Sequence, residues 1–255
     1  DVYKRQVTLR LIPFLIALYF VNYLDRTNIG FAGPNGMNAE LGLTATMFGL
    51  ASGNFFAGYL LLEVPSNLAL HRFGARRWLA RIIVSWGVLA SLMAFGPGAG
   101  WLYALRFLLG VAEAGFFPGI ILYLTYWFPA RERARATALF LLAIPLSTVV
   151  GTPLSAFLVS TGDGIAGLSG WRFMYLMEGV PAVLLGVVCW FLLTDRPEQA
   201  QWLEPEERDW LAAEMAREQA TTGERFHYPL RRTLLDGRVW ALAFVYFGTT
   251  YGLYA

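Results

Sequence analysis

Six stretches of this chain are long enough and apolar enough to cross a lipid bilayer, and that fact removes most folds from consideration. The hydrocarbon core offers no water to backbone groups, so only helices and closed barrels span it. A spanning helix takes roughly 20 residues. The stretches run over Leu11–Ala32, Met47–Leu70, Trp78–Phe95, Leu102–Phe128, Ala136–Ser160 and Trp171–Leu193, and a seventh begins near Val239. Composition agrees: 56% of residues are hydrophobic and 15% charged, against roughly 45–50% and about 25% in soluble domains. A net charge of +2 is too small to point to nucleic acid. The single cysteine, Cys189, has no internal disulfide partner and reads as a small buried hydrophobe. The expected fold is an all-α integral membrane protein with a six-helix bundle.

The loops supply an orientation. HRFGARRWLAR contributes Arg72, Arg76, Arg77 and Arg81, PARERARA contributes Arg131, Arg133 and Arg135, and the N-terminus carries Lys4, Arg5 and Arg10. The alternate loops, AGPNGMNAELGLTAT, GPGAG and TGDGIAGLSG, hold no Lys or Arg, and Arg172 alone falls on their side. Positive loops stay in the cytoplasm, so the N-terminus is expected inside. The domain reading is a six-helix bundle over 7–193, a cytoplasmic central loop over 194–238 and the start of a second bundle over 239–255. The chain does not begin with Met and ends inside an apolar run, so we expect a longer protein; no cleavable signal peptide is evident. In the central loop, Pro205, Glu206 and Glu207 form a helix start. Trp202, Leu203, Trp210, Leu211 and Met215 give that helix an apolar stripe. The simplest role for this segment is a solvated linker.

Charges inside the apolar runs are the functional signal. Asp25 and Arg26 stand side by side in YLDRTNIGFA. A charge at the bilayer centre costs about 2.5–3.5 kcal/mol on insertion scales. Neighbours on a helix point about 100° apart, so each needs a partner elsewhere. Arg106 and Glu113, two helical turns apart, share a face of the fourth segment, and Tyr59 and Glu63 share one of the second. Two readings stand side by side: a self-neutralising structural network, or arginines that bind an anion while a carboxylate titrates. Gly49, Gly53 and Ala57, and again Gly110 and Ala114, offer small-residue faces for close helix approach. Pro145, Gly151 and Pro153 weaken the fifth segment. His71 and His227 lie in loops and no HExxH or Cys/His cluster occurs, so no metal, cofactor or enzymatic reaction is expected.

The stretches YLDRTNIGFA, EVPSNLALHRFGARRW, RFLLGVAEAGFFPGIILYLTYWFPARERARA and PLSTVVGTPLS resemble the major facilitator superfamily, and within it the anion:cation symporters of the tartrate-, galactonate- and phthalate-permease kind. The resemblance covers nearly the whole chain and implies a secondary transporter of a small organic anion with protons, in a bacterial inner membrane. By position, it implies substrate contact for Arg26, Arg106, Tyr59 and Tyr23, and proton coupling for Asp25 and Glu113. It implies a conformational latch at Arg72, Gly74, Arg76 and Arg77. Asn67 stands where glycine is usual and His71 where an acid is usual, which counts against a latch built on an acid at 71. Tyr246 and Tyr251 are expected to line the same cavity, with the remainder supplied by a second half-molecule. The charged groups of the first and fourth helices are expected to face a wet passage.

Overall fold

The computed structural model describes residues 2–223 and 235–254 and divides the chain into two compact units, Asp1–Ala212 and Ala213–Ala255. Every element among the described residues is helical. In the first unit these are α1 (Val2–Ala32), α2 (Ala45–Phe73), α3 (Ala75–Met93), α4 (Ala99–Glu113), α5 (Phe116–Trp127), α6 (Ala130–Leu141), α7 (Thr152–Gly162) and α8 (Gly170–Leu192). Then α9 (Pro205–Gly223) runs across the division, and α10 (Gly237–Tyr254) belongs to the second unit.

Five helical stretches among the described residues, taken across their internal breaks, meet the length and hydropathy of a membrane span: Arg5–Glu40, Ala45–Phe73, Ala99–Trp127, Ala130–Gly162 and Gly170–Leu192. The third expected span, α3, is helical but opens on Arg76, Arg77 and Arg81. It is well buried, packed against α8 and α4 with Leu79, Ile82, Ile83 and Trp86 hidden. Arg81 lays its guanidinium 4.1 Å from the ring centroid of Trp78, keeping its charge at the helix end.

The fourth stretch is not one helix. Ala114 turns extended and Gly115 takes φ +83°, which a side chain resists. The chain therefore breaks between α4 and α5, directly after Glu113. The fifth stretch does stay continuous, with a π-turn at Ser147–Gly151 between Pro145 and Pro153.

Helix contact is made by different glycines from those the four-residue stripe of α2 suggests. Gly49 and Gly53 have open space where a Cβ would stand, and Ala57 is exposed. The close approach is Gly58 on α2 to Gly110 on α4. A Cβ on Gly58 would sit 2.2 Å from the Phe107 carbonyl oxygen, and one on Gly110 would sit 1.9 Å from that of Phe55. These two backbones touch because neither residue has a side chain.

The start of the central segment is not a solvated linker. Trp202 stacks on Trp127 with centroids 5.4 Å apart, Arg10 lies 4.7 Å over the Trp202 ring, and Leu203 and Leu211 are buried. The apolar stripe that predicts an amphipathic helix is the surface that docks. Trp210 stays exposed. His227 and the side chain of Tyr251 lie outside the described residues, and Tyr246 is exposed in the second unit.

Candidate functional site

The adjacent Asp25 and Arg26 look at different helices. Asn22 and Arg26, one turn apart on α1, both reach Glu113 of α4: Arg26 NH2 lies 3.1 Å from Oε1, and the Asn22 amide donates to the same oxygen. Asp25 and Asn28 face the other way. The Asn28 amide donates to Asp25 Oδ1 at 2.9 Å and to Glu178 Oε2 of α8 at 3.2 Å. Ser155 of α7 closes this second group with a 2.7 Å bond to Glu178 Oε1.

One expected partner is therefore found and one is not. Arg26 pairs with the fourth segment. Asp25 is held by its own helix and lies near Glu113, Glu178 and Arg106 without a direct bond to any of them. Glu178 is a fourth intramembrane carboxylate that spacing arguments on α1, α2 and α4 pass over. The signal was present, since a lone acid stands in the apolar run FMYLMEGVPAVLLG. Asn22, Asn28 and Ser155 give no comparable signal, because a neutral polar residue in a span is ordinary.

Arg106 is only 2% exposed, and its Nε and NH1 have no hydrogen-bond partner among the described residues. Its guanidinium stands 5.0 Å from the Phe55 ring centroid, and that of Arg26 stands 5.3 Å from the same centroid. One buried phenyl ring thus lies within reach of both cations. Arg26 also lies 5.2 Å over Tyr59. At one edge of this group Arg26 is 20% exposed, and Tyr59 and Glu63 are half-buried beside it. Asp25, Arg106 and Glu113 lie behind that edge, buried among helices. Tyr23 stands edge-on to Tyr19, with ring centroids 6.4 Å apart. Further unpartnered buried atoms are Glu113 Oε2, Arg26 Nε and the Tyr175 hydroxyl. A cavity of about 470 Å³ lies elsewhere, lined by Arg5, Thr8, Phe128, Glu132 and Arg135. Arg5 is about 31 Å along α1 from Arg26, at 1.5 Å per residue.

The loop expected to act as a latch is pinned by a residue 119 positions further along the chain. The Asp195 carboxylate accepts from the backbone N–H of Arg76 at 2.7 Å, at the N-terminus of α3, where an anion is favoured. It also lies against Gly74, whose φ of +86° calls for glycine. Arg72 and Arg77 are exposed. His71, in the position of the usual acid, meets the Tyr126 hydroxyl at 3.3 Å.

The model of the Major Facilitator Superfamily matches residues 15–255. An Agrobacterium vitis protein named "Putative tartrate transporter" is 58% identical over 98% of this chain and 57% of its own length. The Escherichia coli "Inner membrane transport protein RhmT" is 39% identical over 96% of this chain and 56% of its own. The chain thus spans about half the length of the curated relatives it matches. Among solved structures, the inward-open xylose transporter XylE of Escherichia coli superposes with a TM-score of 0.66 at 17% identity, over 87% of this chain and 57% of that one.

Proposed function

The chain belongs to the major facilitator superfamily and is an integral, multi-pass membrane protein, and on that premise we propose that it is the N-terminal part of a carrier that takes up a small organic carboxylate together with protons by alternating access. The observation that carries this reading is Arg106: a fully buried guanidinium with two unpartnered donor nitrogens, within reach of the same ring as the Arg26–Glu113 ion pair. A guanidinium cannot shed its charge and forms forked bonds to carboxylates. A buried one whose donor nitrogens are left unbonded favours an anionic ligand over a purely structural network.

The ion pair supplies a means of coupling. While Glu113 is ionised it occupies Arg26. Protonation of Glu113 ends the attraction and frees Arg26 to receive a substrate carboxylate alongside Arg106, with Tyr59 and Tyr23 as lining residues. Release of the anion and of the proton restores the pair. Asp25, on the next stripe of α1, is the second proton-exchanging carboxyl. No covalent bond forms or breaks. Tartrate, which appears in the name of one relative, and sugar acids are the candidate cargo.

The domain reading that goes with this proposal is a bundle over 7–193, a central segment over 194–238 and a second bundle beginning at 239, whose remaining helices would complete the site. The loop charges favour a cytoplasmic N-terminus and central segment in a bacterial inner membrane. The residues Arg72, Gly74, Arg76 and Arg77 would then form a cytoplasmic latch.

Reconstitution tests the proposal. The full-length protein in liposomes, with an alkaline interior, is expected to accumulate labelled tartrate or a sugar acid and to lose that accumulation when the gradient is collapsed. Uptake indifferent to the gradient would make it an exchanger or uniporter, and binding without uptake would make it a sensor. A Glu113→Gln protein that still follows the gradient would remove Glu113 from the coupling.

A further inference from the structure

We propose that Glu178 is a proton-positioning residue of this carrier: its negative charge holds a proton on Asp25, and the Asn28 amide bridges the two carboxyls. The inference rests on the proton-coupled reading above and adds a residue that neither spacing nor family resemblance assigns.

The geometry is a buried pair of carboxyls on two helices held by one amide nitrogen. Asn28 Nδ2 has two hydrogens, and its two acceptors are Asp25 Oδ1 and Glu178 Oε2, at 2.9 and 3.2 Å. The two acceptor oxygens are therefore no more than about 6 Å apart. Asp25 is 3% exposed, Glu178 2% and Asn28 0%. Two carboxylates this close and this dry resist ionising together. No cation bonds to either among the described residues. The charged and titratable groups facing the pair are Arg106 and Glu113 from α4 and Tyr175 from α8 itself; α7 contributes only the Ser155 hydroxyl.

The two carboxyls are not equivalent. Both oxygens of Glu178 accept hydrogen bonds, one from Ser155 and one from Asn28, whereas Asp25 receives one. With a donor on each oxygen, Glu178 is the better hydrogen-bonded of the two as the site of a negative charge. The proton therefore rests on Asp25, with Glu178 holding the negative charge that keeps it there. When the bundle rearranges and Asn28 moves off either partner, Asp25 loses its neighbour's charge and releases the proton to water. The proton leaves Asp25 as hydronium, and the next enters the same way. Asp25 on α1 thereby senses the position of α7 and α8.

The test uses the full-length protein in liposomes with labelled tartrate. Each coupled proton multiplies steady-state accumulation about tenfold per pH unit of gradient. Glu178→Gln is expected to lower gradient-driven accumulation about tenfold at a gradient of one unit, while exchange of internal for external substrate, which moves no net proton, falls by less than about threefold. Accumulation at the wild-type level overturns the inference, and so does an equal fall in both assays, which marks a purely structural residue. Ser155→Ala, which removes one donor and no charge, is the second variant. The midpoint of its uptake-against-pH profile is expected to rise by up to about one unit, the worth of one charge-assisted bond; an unmoved midpoint overturns the inference even if Glu178→Gln does not fold. A wild-type protein that ignores the gradient ends the proton-coupled reading and this inference together. A wild-type protein that follows it, with a Glu178→Gln protein that does so equally, ends only this one.

Discussion

Arg172 Nε lies 2.8 Å from Glu40 Oε1, and the same guanidinium donates to the carbonyls of Ala94 and Gly96 at 2.6 and 2.9 Å. One side chain thus ties three loops at a single end of the bundle, the segments after α1, after α3 and before α8. Ser169 and Trp171 complete the set by donating to Glu40 Oε2. This explains why the loops otherwise free of positive charge keep one arginine. The carbonyls it reaches are that of Ala94, the C-cap of α3, and that of Gly96 in the turn beyond it.

Arg172→Ala should therefore loosen that end without touching the charged centre. Glu40 is 40% exposed, so the ion pair itself contributes little. The loss is carried by the bonds to the two carbonyls, about 1–3 kcal/mol together. A lower melting temperature in detergent, with substrate affinity retained, is the expected result. Arg172→Lys should recover little, because an ammonium cannot fork across the three acceptors.

Gly110→Ala tests the close approach of α2 and α4. Its Cβ would meet a backbone oxygen at 1.9 Å, and backbone cannot swing aside as a side chain can. The helices must separate, at a cost of about 1–3 kcal/mol. Gly53→Ala, into open space on the same α2 helix, should leave thermal stability unchanged or slightly raised. Comparable melting temperatures for the two variants would refute the packing assigned to Gly110.

Asp195→Asn tests the pin on the loop between α2 and α3. The amide keeps an acceptor for the Arg76 N–H but loses the charge that favours a helix N-terminus, about 0.3–1 kcal/mol. Asp195→Ala loses the bond as well, about 0.5–2 kcal/mol. Hydrogen exchange at the first turn of α3 should accelerate in the order wild type, Asn, Ala. Equal protection in all three would show that the contact does not hold the loop.

Much of this centre can be read from one sequence because lipid makes charge conspicuous. Arg26, Arg106, Asp25 and Glu113 stand out in apolar runs, and the wide angle between neighbours on a helix already separates Asp25 from Arg26. Glu178 escapes such reasoning because it has no charged residue at helical spacing; its partners, Asn28 and Ser155, lie 150 and 23 residues away and are neutral. Gly58 escapes because a stripe of small residues every four positions drifts around a helix of 3.6 residues per turn. Which glycine touches a neighbour depends on helix rotation, which only tertiary packing sets. The break after Glu113 needs Gly115 in a left-handed conformation, and glycine in a span is as often a packing residue as a turn. Asp195 reaches α3 from 119 residues away, a contact no local pattern encodes.

The two arginines should respond oppositely to removal, and that contrast bears most directly on the proposed carrier. Arg26 neutralises a buried carboxylate, so Arg26→Leu strands Glu113 and should destabilise the protein by about 2–4 kcal/mol, toward the lower part of the range for broken buried pairs because Arg26 is partly exposed. Arg106 has no bonded counter-ion among the described residues, and its burial is a cost the fold carries. Arg106→Leu should leave the melting temperature unchanged or raised, while anion uptake falls by about 100-fold or more, the loss expected when one charged partner of a binding site is truncated. Thermal melting in detergent and uptake in liposomes read the two effects separately. An Arg106→Leu protein that melts several degrees lower would show that the arginine serves the fold, and one that transports normally would remove it from the anion site.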